Sequence, residues 1–298
     1  MDTKTDDVDV AVRRALRFLQ EHLDDELRLD DLAEVAGYSP FHFHRLFRAR
    51  VGEPVHGHVK RLRMERAARR LRDTADAVLD VALASGFRSG EGFARAFKAW
   101  YGATPSAFRD EHRRDVRLDA PTGVHAPGDG GEDGYSPPPP ADGPPFRVAT
   151  LPPRRVACVR HVGPYDACGP AFERLMAWAR PRGFVGAVAE IVGIPWDDPS
   201  WTAPERLRYD AAIVLPDDAD PDVGDGIDLA DLAGGPHVAT YHAGPYETLG
   251  ATYDRLFGHG LPSLGRTPRE APCVERYLND PRTTKPAELF TEVRVPVA

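Results

Sequence analysis

Gly86-Phe87-Arg88-Ser89-Gly90-Glu91-Gly92-Phe93-Ala94-Arg95-Ala96-Phe97-Lys98-Ala99-Trp100-Tyr101-Gly102-Ala103-Thr104-Pro105-Ser106-Ala107-Phe108-Arg109 is the stretch on which the reading of the fold turns. A short helix over 81–84 leads into Ser85-Gly86, where a glycine meets the positive φ of a tight turn between helices. Ser89 then stands where its hydroxyl can cap a second helix. In that helix Phe93, Ala96, Phe97 and Trp100 follow the i, i+3, i+4, i+7 spacing of one buried face. Glu91, Ala94, Arg95 and Lys98 are left facing out. Such a pair of helices reads as a helix-turn-helix whose second helix is free to enter a groove of duplex DNA.

The same pattern occurs about fifty residues earlier. Ala36-Gly37-Tyr38-Ser39-Pro40 makes the turn, with Pro40 suited to the first helical position. The helix that follows is expected to bury Phe43, Leu46 and Phe47 and to show Phe41, His44, Arg45 and Arg48 to solvent. Gly52 ends it as Gly102 ends the other. Upstream, Asp6 and Asp7 are placed to cap a helix carrying Val8, Val12, Ala15, Leu16, Leu19 and Leu23 on one face, and Asp30 and Asp31 to open a helix over 32–36. After Pro54 a long helix runs to about Arg72 and forms a stiff rod between the two motifs. His42, His44, His56 and His58 do not read as a metal site, because residues two apart on a helix diverge by about 200°.

With both motifs in view, the chain closely resembles AraC/XylS-type transcription regulators over roughly residues 8–112. Gly-Phe, Phe-x-Arg-x-Phe-Lys, Tyr-Gly and Thr-Pro-x-x-Phe-Arg of that family's signature are all present between Gly86 and Arg109. The resemblance implies that the rod sets two reading helices about one DNA turn apart on the same face. It also implies double-stranded DNA and RNA polymerase as partners.

Charge agrees once the chain is divided. Overall it carries −8, but residues 38–72 hold 10 Lys and Arg against 2 Asp and Glu, a net +8. Positive charge gathers on the first reading helix and the rod, where counterion release favours duplex binding. At 298 residues the chain is long enough for two cores. Its three scattered cysteines suit reduced thiols in a cytoplasm. Neither a membrane-spanning run nor a secretory leader is legible, so no membrane partner is expected.

From Asp119 to Pro145, 14 of 27 residues are Pro or Gly. Such a segment has little apolar surface to offset its ordering entropy and reads as a flexible linker partly stiffened by polyproline. The domains expected are therefore a DNA-binding domain over 1–114, a linker over 115–145 and a second domain over 146–298.

The second domain is itself duplicated. His161-Val162-Gly163-Pro164-Tyr165 recurs as His242-Ala243-Gly244-Pro245-Tyr246, 81 residues on. Gly169, Phe172, Arg174 and Leu175 match Gly250, Tyr253, Arg255 and Leu256, and Asp198-Pro199 matches Asp280-Pro281. Each half reads β-α-β-β, ending in strands over 211–215 and 293–297. Two such units are expected to form one curved antiparallel sheet with helices on one face, an α+β domain with its ligand cleft at the pseudo-two-fold. The repeated Gly-Pro-Tyr motifs read as structural turns. The halves differ where Gly193 aligns with Glu275. Strand alternation puts Cys273, Glu275 and Tyr277 on one face and Val274, Arg276 and Leu278 on the other. A carboxylate buried on the first face without its neighbouring arginine costs several kcal/mol unless a counter-charge arrives or its pKa rises. A lipophilic cation supplies that charge, and an aromatic wall adds about 0.5–2 kcal/mol.

Residues 146–298 resemble the GyrI-like effector-binding domain, whose Glu-x-Tyr-x-x-Asp-Pro pattern is met by Glu275, Tyr277, Asp280 and Pro281. The resemblance implies that Glu275 is the ligand-binding acid. Gly193–Pro199 and Arg208-Tyr209-Asp210 also look typical of that family, and Trp196 and Tyr209 are candidate pocket walls.

These readings converge on a one-component transcription regulator with two helix-turn-helix motifs and a small-molecule effector, needing neither cofactor nor metal and not an enzyme. Two other classes compete. Some GyrI-like domains are hydrolases, which would make Glu275 a general acid or base with Trp196 holding the substrate. A protein-interaction module is the third. Comparison of the motifs gives the first reading helix the larger share of base contacts, because the second opens Ser89-Gly90-Glu91-Gly92. There Glu91 suits a cytosine amine, while Arg95 and Lys98 hold the backbone.

Overall fold

The two predicted turns have the same backbone hydrogen bonds. The Gly37 amide donates to the Glu34 carbonyl (3.0 Å) and the Tyr38 amide to Ala33 (2.9 Å). Correspondingly, Gly86 donates to Leu83 (3.0 Å) and Phe87 to Ala82 (3.1 Å). Gly37 and Gly86 both take the left-handed conformation, φ 77° and 83°, that makes glycine the residue for this turn. A computed structural model describes residues 3–110, 116–126, 135, 143–186, 189–224 and 226–298. The chain divides into two compact units, one of Asp9–Pro139 and one of Pro140–Ala298 with Met1–Val8.

The helical unit contains α1 (Thr3–Glu21) from Asp9 onward, α2 (Leu29–Ala36), α3 (Pro40–Val51), α4 (Val55–Asp73), α5 (Val78–Ala84), α6 (Gly90–Tyr101) and α7 (Pro105–Asp110). The α2–turn–α3 and α5–turn–α6 pairs are the two helix-turn-helix motifs, and α4 is the rod between them. Helices α2 and α5 each start three residues before the expected position. They begin behind Arg28 and Ala77, extended residues with no side-chain cap. Ser89 does cap α6, its Oγ accepting from the Gly92 amide at 3.2 Å. Ser39 instead bonds the His42 ring, 3.0 Å away.

Phe93 and Phe97 are fully buried with Met64, Leu71, Val81 and Phe108. The Phe97 ring lies 5.2 Å from Phe108 and 4.6 Å from Tyr101, centroid to centroid. Ala96 and Trp100 close the edge of this core and are half-buried. Phe43, Leu46 and Phe47 are buried as their spacing required.

The Pro/Gly-rich segment behaves differently from its composition over the residues described. Val116, Thr122, Val124, Ala126 and Tyr135 are buried. The fully buried Glu65 of α4 accepts from the Leu118 amide (3.1 Å), the Ala126 amide (2.9 Å) and Arg61 Nη1 (3.1 Å). His125 Nδ1 lies 2.9 Å from the same carboxylate. One buried acid thus satisfies a turn of chain that has no secondary structure of its own, which is how backbone without a ladder is kept inside.

The second unit is an eight-stranded antiparallel sheet. Its strands are β1 (Arg147–Leu151), β2 (Arg154–Val162), β3 (Ile191–Pro195), β4 (Arg208–Val214), β5 (Asp228–Leu232), β6 (Gly235–Ala243), β7 (Val274–Tyr277) and β8 (Phe290–Pro296). Their order, β1-β6-β8-β7-β3-β4-β2-β5, is symmetric about the β7–β3 pair. Each half adds one strand to the expected β-α-β-β. The added strands β1 and β5 are exchanged, β1 pairing with β6 of the other half and β5 with β2. Helix α8 (Gly169–Ala179) packs on β2 and β4, burying Leu175 and Trp178 with Ala157, Ala211 and Ile213. Helix α9 (Leu249–Arg255) takes the equivalent place in the second half and continues through a π-helical turn, Leu256–Gly260, into α10 (Leu261–Ser263). The repeated histidines clamp the turns after β2 and β6. His161 Nε2 meets the Pro164 carbonyl at 2.9 Å and His242 Nε2 the Pro245 carbonyl at 3.1 Å.

Candidate functional site

At the pseudo-axis Gly193 of β3 is the direct cross-strand partner of Glu275 of β7. Glu275 is 6% exposed. Three phenols converge on it. Tyr253 of α9 donates to Oε1 at 2.9 Å, while Tyr209 of β4 and Tyr277 of β7 each donate to Oε2 at 3.0 Å. The Tyr209 and Tyr277 hydroxyls also touch one another. They fit because position 193 has no side chain: a Cβ there would lie 1.7 Å from the Tyr209 hydroxyl. Arg276, next to Glu275 in sequence, points to the opposite face and pairs with Glu190 and Glu292.

Further rings surround this cluster. Tyr165 lies 5.1 Å from Tyr209, Tyr246 5.3 Å from Tyr277, and Phe172 of α8 5.7 Å from Tyr277. Burial, and after it the field of Glu275, pushes Tyr209 and Tyr277 well above the usual phenol range. The same two causes push Tyr246 up to about 12 and the Cys168 thiol up to about 11. These groups are neutral at physiological pH, so they act as donors that solvate the carboxylate without cancelling its charge. Each such bond to an ion contributes about 1.5–3 kcal/mol.

Of the four residues expected at this site, Glu275, Tyr277 and Tyr209 come together and Trp196 does not. Trp196 follows Val192 and Ile194 on the other face of β3, where it packs against Val156, Cys158 and Ala212. Its indole donates to Asp210 Oδ2 at 2.7 Å, and the Arg160 guanidinium, itself bonded to Asp210, lies over its ring at 5.2 Å. Strand parity is the reason, since Trp196 is three residues from Gly193 and an odd step changes face.

The candidate DNA-contact residues also divide. On α6, Glu91, Arg95 and Lys98 are exposed, as their spacing required, and none has a protein partner among the described residues. On α3, Phe41 and Arg48 are half-buried. His44 is fully buried and Arg45 is 6% exposed, its guanidinium 4.7 Å over the Phe41 ring. The expected exposure of His44 and Arg45 is therefore not what the fold produces. Helical spacing sets which way a side chain leaves its own helix, but not what packs over it afterwards.

Residues 144–298 match the model of the GyrI-like small molecule binding domain, and residues 32–111 match that of a helix-turn-helix domain. The chain belongs to the GyrI-like family. Its GyrI-like unit is 34% identical over 154 residues to the DNA gyrase inhibitor of Edwardsiella piscicida, a match spanning 51% of this chain and 96% of that protein. Its helix-turn-helix unit is 38% identical over 98 residues to the transcriptional activator AarP of Providencia stuartii, covering 33% of this chain and 73% of the activator. Among solved structures, a hydrolase encoded by lin2189 from Listeria innocua aligns at 17% identity with a TM-score of 0.40, covering 52% of this chain and 92% of that one. No helix among the described residues is long and apolar enough to cross a membrane.

Three parts of the GyrI-like site lie outside the residues expected from sequence. Tyr253 is visible in the repeat only as the counterpart of Phe172. Tyr165 and Tyr246 belong to the Gly-Pro-Tyr turns, and Tyr165 does structural work as well as a wall's: its hydroxyl donates to the Asp197 carbonyl at 2.7 Å. A count of aromatics at repeat-related positions would have found all three.

Proposed function

We propose that this chain is a one-component transcription regulator in which a lipophilic cation at Glu275 controls DNA binding by the tandem helix-turn-helix unit. The carrying observation is a buried carboxylate held by three neutral phenols and ringed by aromatic side chains. Hydrogen bonds from phenols favour the charged form of a carboxyl group, and aromatic faces favour a cation over water, so the site suits a positively charged, apolar ligand. The double-stranded DNA is met by Glu91, Arg95 and Lys98 of α6, and by Phe41 and Arg48 of α3. Contact with RNA polymerase is part of the same proposal, by resemblance to AraC-type regulators.

We take the Glu275 site as a binding site and not a hydrolytic one. Both carboxylate oxygens already accept phenol protons, which leaves the acid poorly placed to take a proton from water. The test is calorimetry of tetraphenylphosphonium binding to the full-length protein and to Glu275→Gln, with the mass of a hydrolysable ester analogue followed in parallel. Binding lost in the variant, with no mass change, is the expected result. A cation bound equally by Glu275→Gln, or an ester cleaved by the wild type alone, overturns it.

A further inference from the structure

Arg255 closes α9 two residues beyond Tyr253. Residues two apart on a helix point about 160° from each other, so Tyr253 reaches Glu275 while Arg255 reaches the other way. What it reaches is the stretch of chain that enters β1. Arg255 Nη1 donates to the Pro144 carbonyl at 2.7 Å and Nη2 to Thr240 Oγ1 at 2.7 Å. Its guanidinium lies 4.3 Å over the Phe146 ring. Phe146 in turn packs against the π-helical turn, filling the space where a Cβ on Gly260 would come within 2.6 Å of its ring.

This is an expensive arrangement for a structural contact. Arg255 is 8% exposed, and no carboxylate pairs with it among the described residues. Its charge is held by a carbonyl, a hydroxyl and an aromatic face, and burial lowers its pKa. A buried guanidinium with neutral partners costs more than an apolar side chain of similar size, so packing alone does not account for it. The repeat supplies a control within the same molecule. Arg174, the counterpart of Arg255 in α8, is exposed. Helix α8 also lacks a π-helical turn, a feature concentrated at functional sites. Both halves set this arginine against the stretch that enters the added strand, Arg174 beside Gly226 ahead of β5, and only in the second half is the guanidinium buried and its helix continued by a π-helical turn.

We propose that Arg255 is the output residue of the effector site. It holds residues 143–146 against the helix that carries Tyr253, so that loosening the Tyr253–Glu275 contact loosens that stretch of chain. An effector that takes over Glu275 Oε1 releases the Tyr253 hydroxyl, and α9 hands the change to the segment leading back toward the DNA-binding unit. This rests on the reading of Glu275 as the effector-binding acid. Coupling of this kind needs one element whose state both sites bias, and α9 is that element.

The experiment avoids any ligand, so that failure of the cation reading and failure of this coupling stay distinct. Tyr253→Phe removes the hydroxyl and keeps the ring. Hydrogen exchange at the amides of residues 146–151 is followed in the full-length wild type, Tyr253→Phe, Arg255→Gln and the double variant, with protection in β4 reporting that the fold is kept. Tyr253→Phe is expected to speed exchange about tenfold in the wild-type background, the equivalent of one hydrogen bond, and by less than about twofold when Arg255 is Gln. Should Arg255→Gln not fold, Phe146→Ala replaces it with the same expectation. No change in Tyr253→Phe alone, or an equal acceleration in both backgrounds, overturns the proposal.

Discussion

Gly193→Ala is a one-methyl perturbation aimed at the centre of the effector site. The new Cβ would lie 1.7 Å from the Tyr209 hydroxyl oxygen, 2.5 Å from its Cζ and 2.7 Å from the Tyr277 hydroxyl. None of these is the loose end of a flexible chain, since Tyr209 is 3% exposed and bonded to Glu275. Position 193 has no left-handed φ, so the backbone accepts alanine and the whole penalty is steric. Crowding a packed core costs about 1–3 kcal/mol. Pushing Tyr209 off a buried carboxylate costs about 1.5–3 kcal/mol more, and the loss of glycine's freedom in the unfolded chain returns about 0.4–1 kcal/mol. The net expectation is a loss of about 2–5 kcal/mol, read by urea denaturation of the GyrI-like unit in the full-length protein. A double-mutant cycle with Tyr209→Phe should give a coupling of about 1–2 kcal/mol, because the oxygen contact disappears while the ring-carbon contact remains. Stability within about 0.5 kcal/mol of wild type, or a coupling of zero, would refute the claim that the missing side chain makes room for the phenols.

Three further expectations concern the helical unit. Glu65→Gln turns an amide toward donors that now face two carboxyl oxygens, and should destabilise the unit by about 3–5 kcal/mol while exposing residues 116–126 to limited proteolysis; an unchanged cleavage rate would count against the docking of that segment. His42 is held neutral by burial and then by Arg45, its pKa lowered to about 4. A lowered histidine pKa leaves its stability contribution complete above about 6.5 and removes it as pH falls toward 4, by up to about 3 kcal/mol. An NMR titration of the His42 ring with a midpoint above 6 contradicts this. Gly57→Ala places a Cβ 3.4 Å from Pro54 Cγ, an ordinary contact, and should stabilise α4 by about 0.5–1 kcal/mol in thermal melts.

The fold was largely legible because duplication repeats each signal. Gly37 and Gly86, Ser89, and the Phe pairs 43/47 and 93/97 each encode a local geometry, and local geometry is what spacing reports. The β-α-β-β repeat gave the sheet, and alternation placed Glu275 and Tyr277 together. Three features depart from the sequence reading, for separate reasons. Trp196 was assigned by its neighbourhood in sequence, although counting from Gly193 already puts it on the other face. Arg45 and His44 leave α3 outward, but their burial depends on long-range packing that periodicity does not contain. Residues 116–126 look unstructured by composition because their order comes from distant partners, the Glu65 carboxylate and the Tyr101 hydroxyl among them, with only a few buried apolar side chains such as Val116 and Val124.

The exchange of β1 and β5 bears on how the GyrI-like unit folds and on what can be cut from it. Residue 147 pairs with residue 239, and residue 154 with residue 232, so each half completes the sheet of the other. Neither half can pair its outer strand until the other has been made, and these pairings close loops of long sequence separation, which slows folding. A chain opened in the segment between β4 and β5 would yield two pieces that each hold an edge strand of their partner, bound as two clasped hands are and not as two stacked blocks.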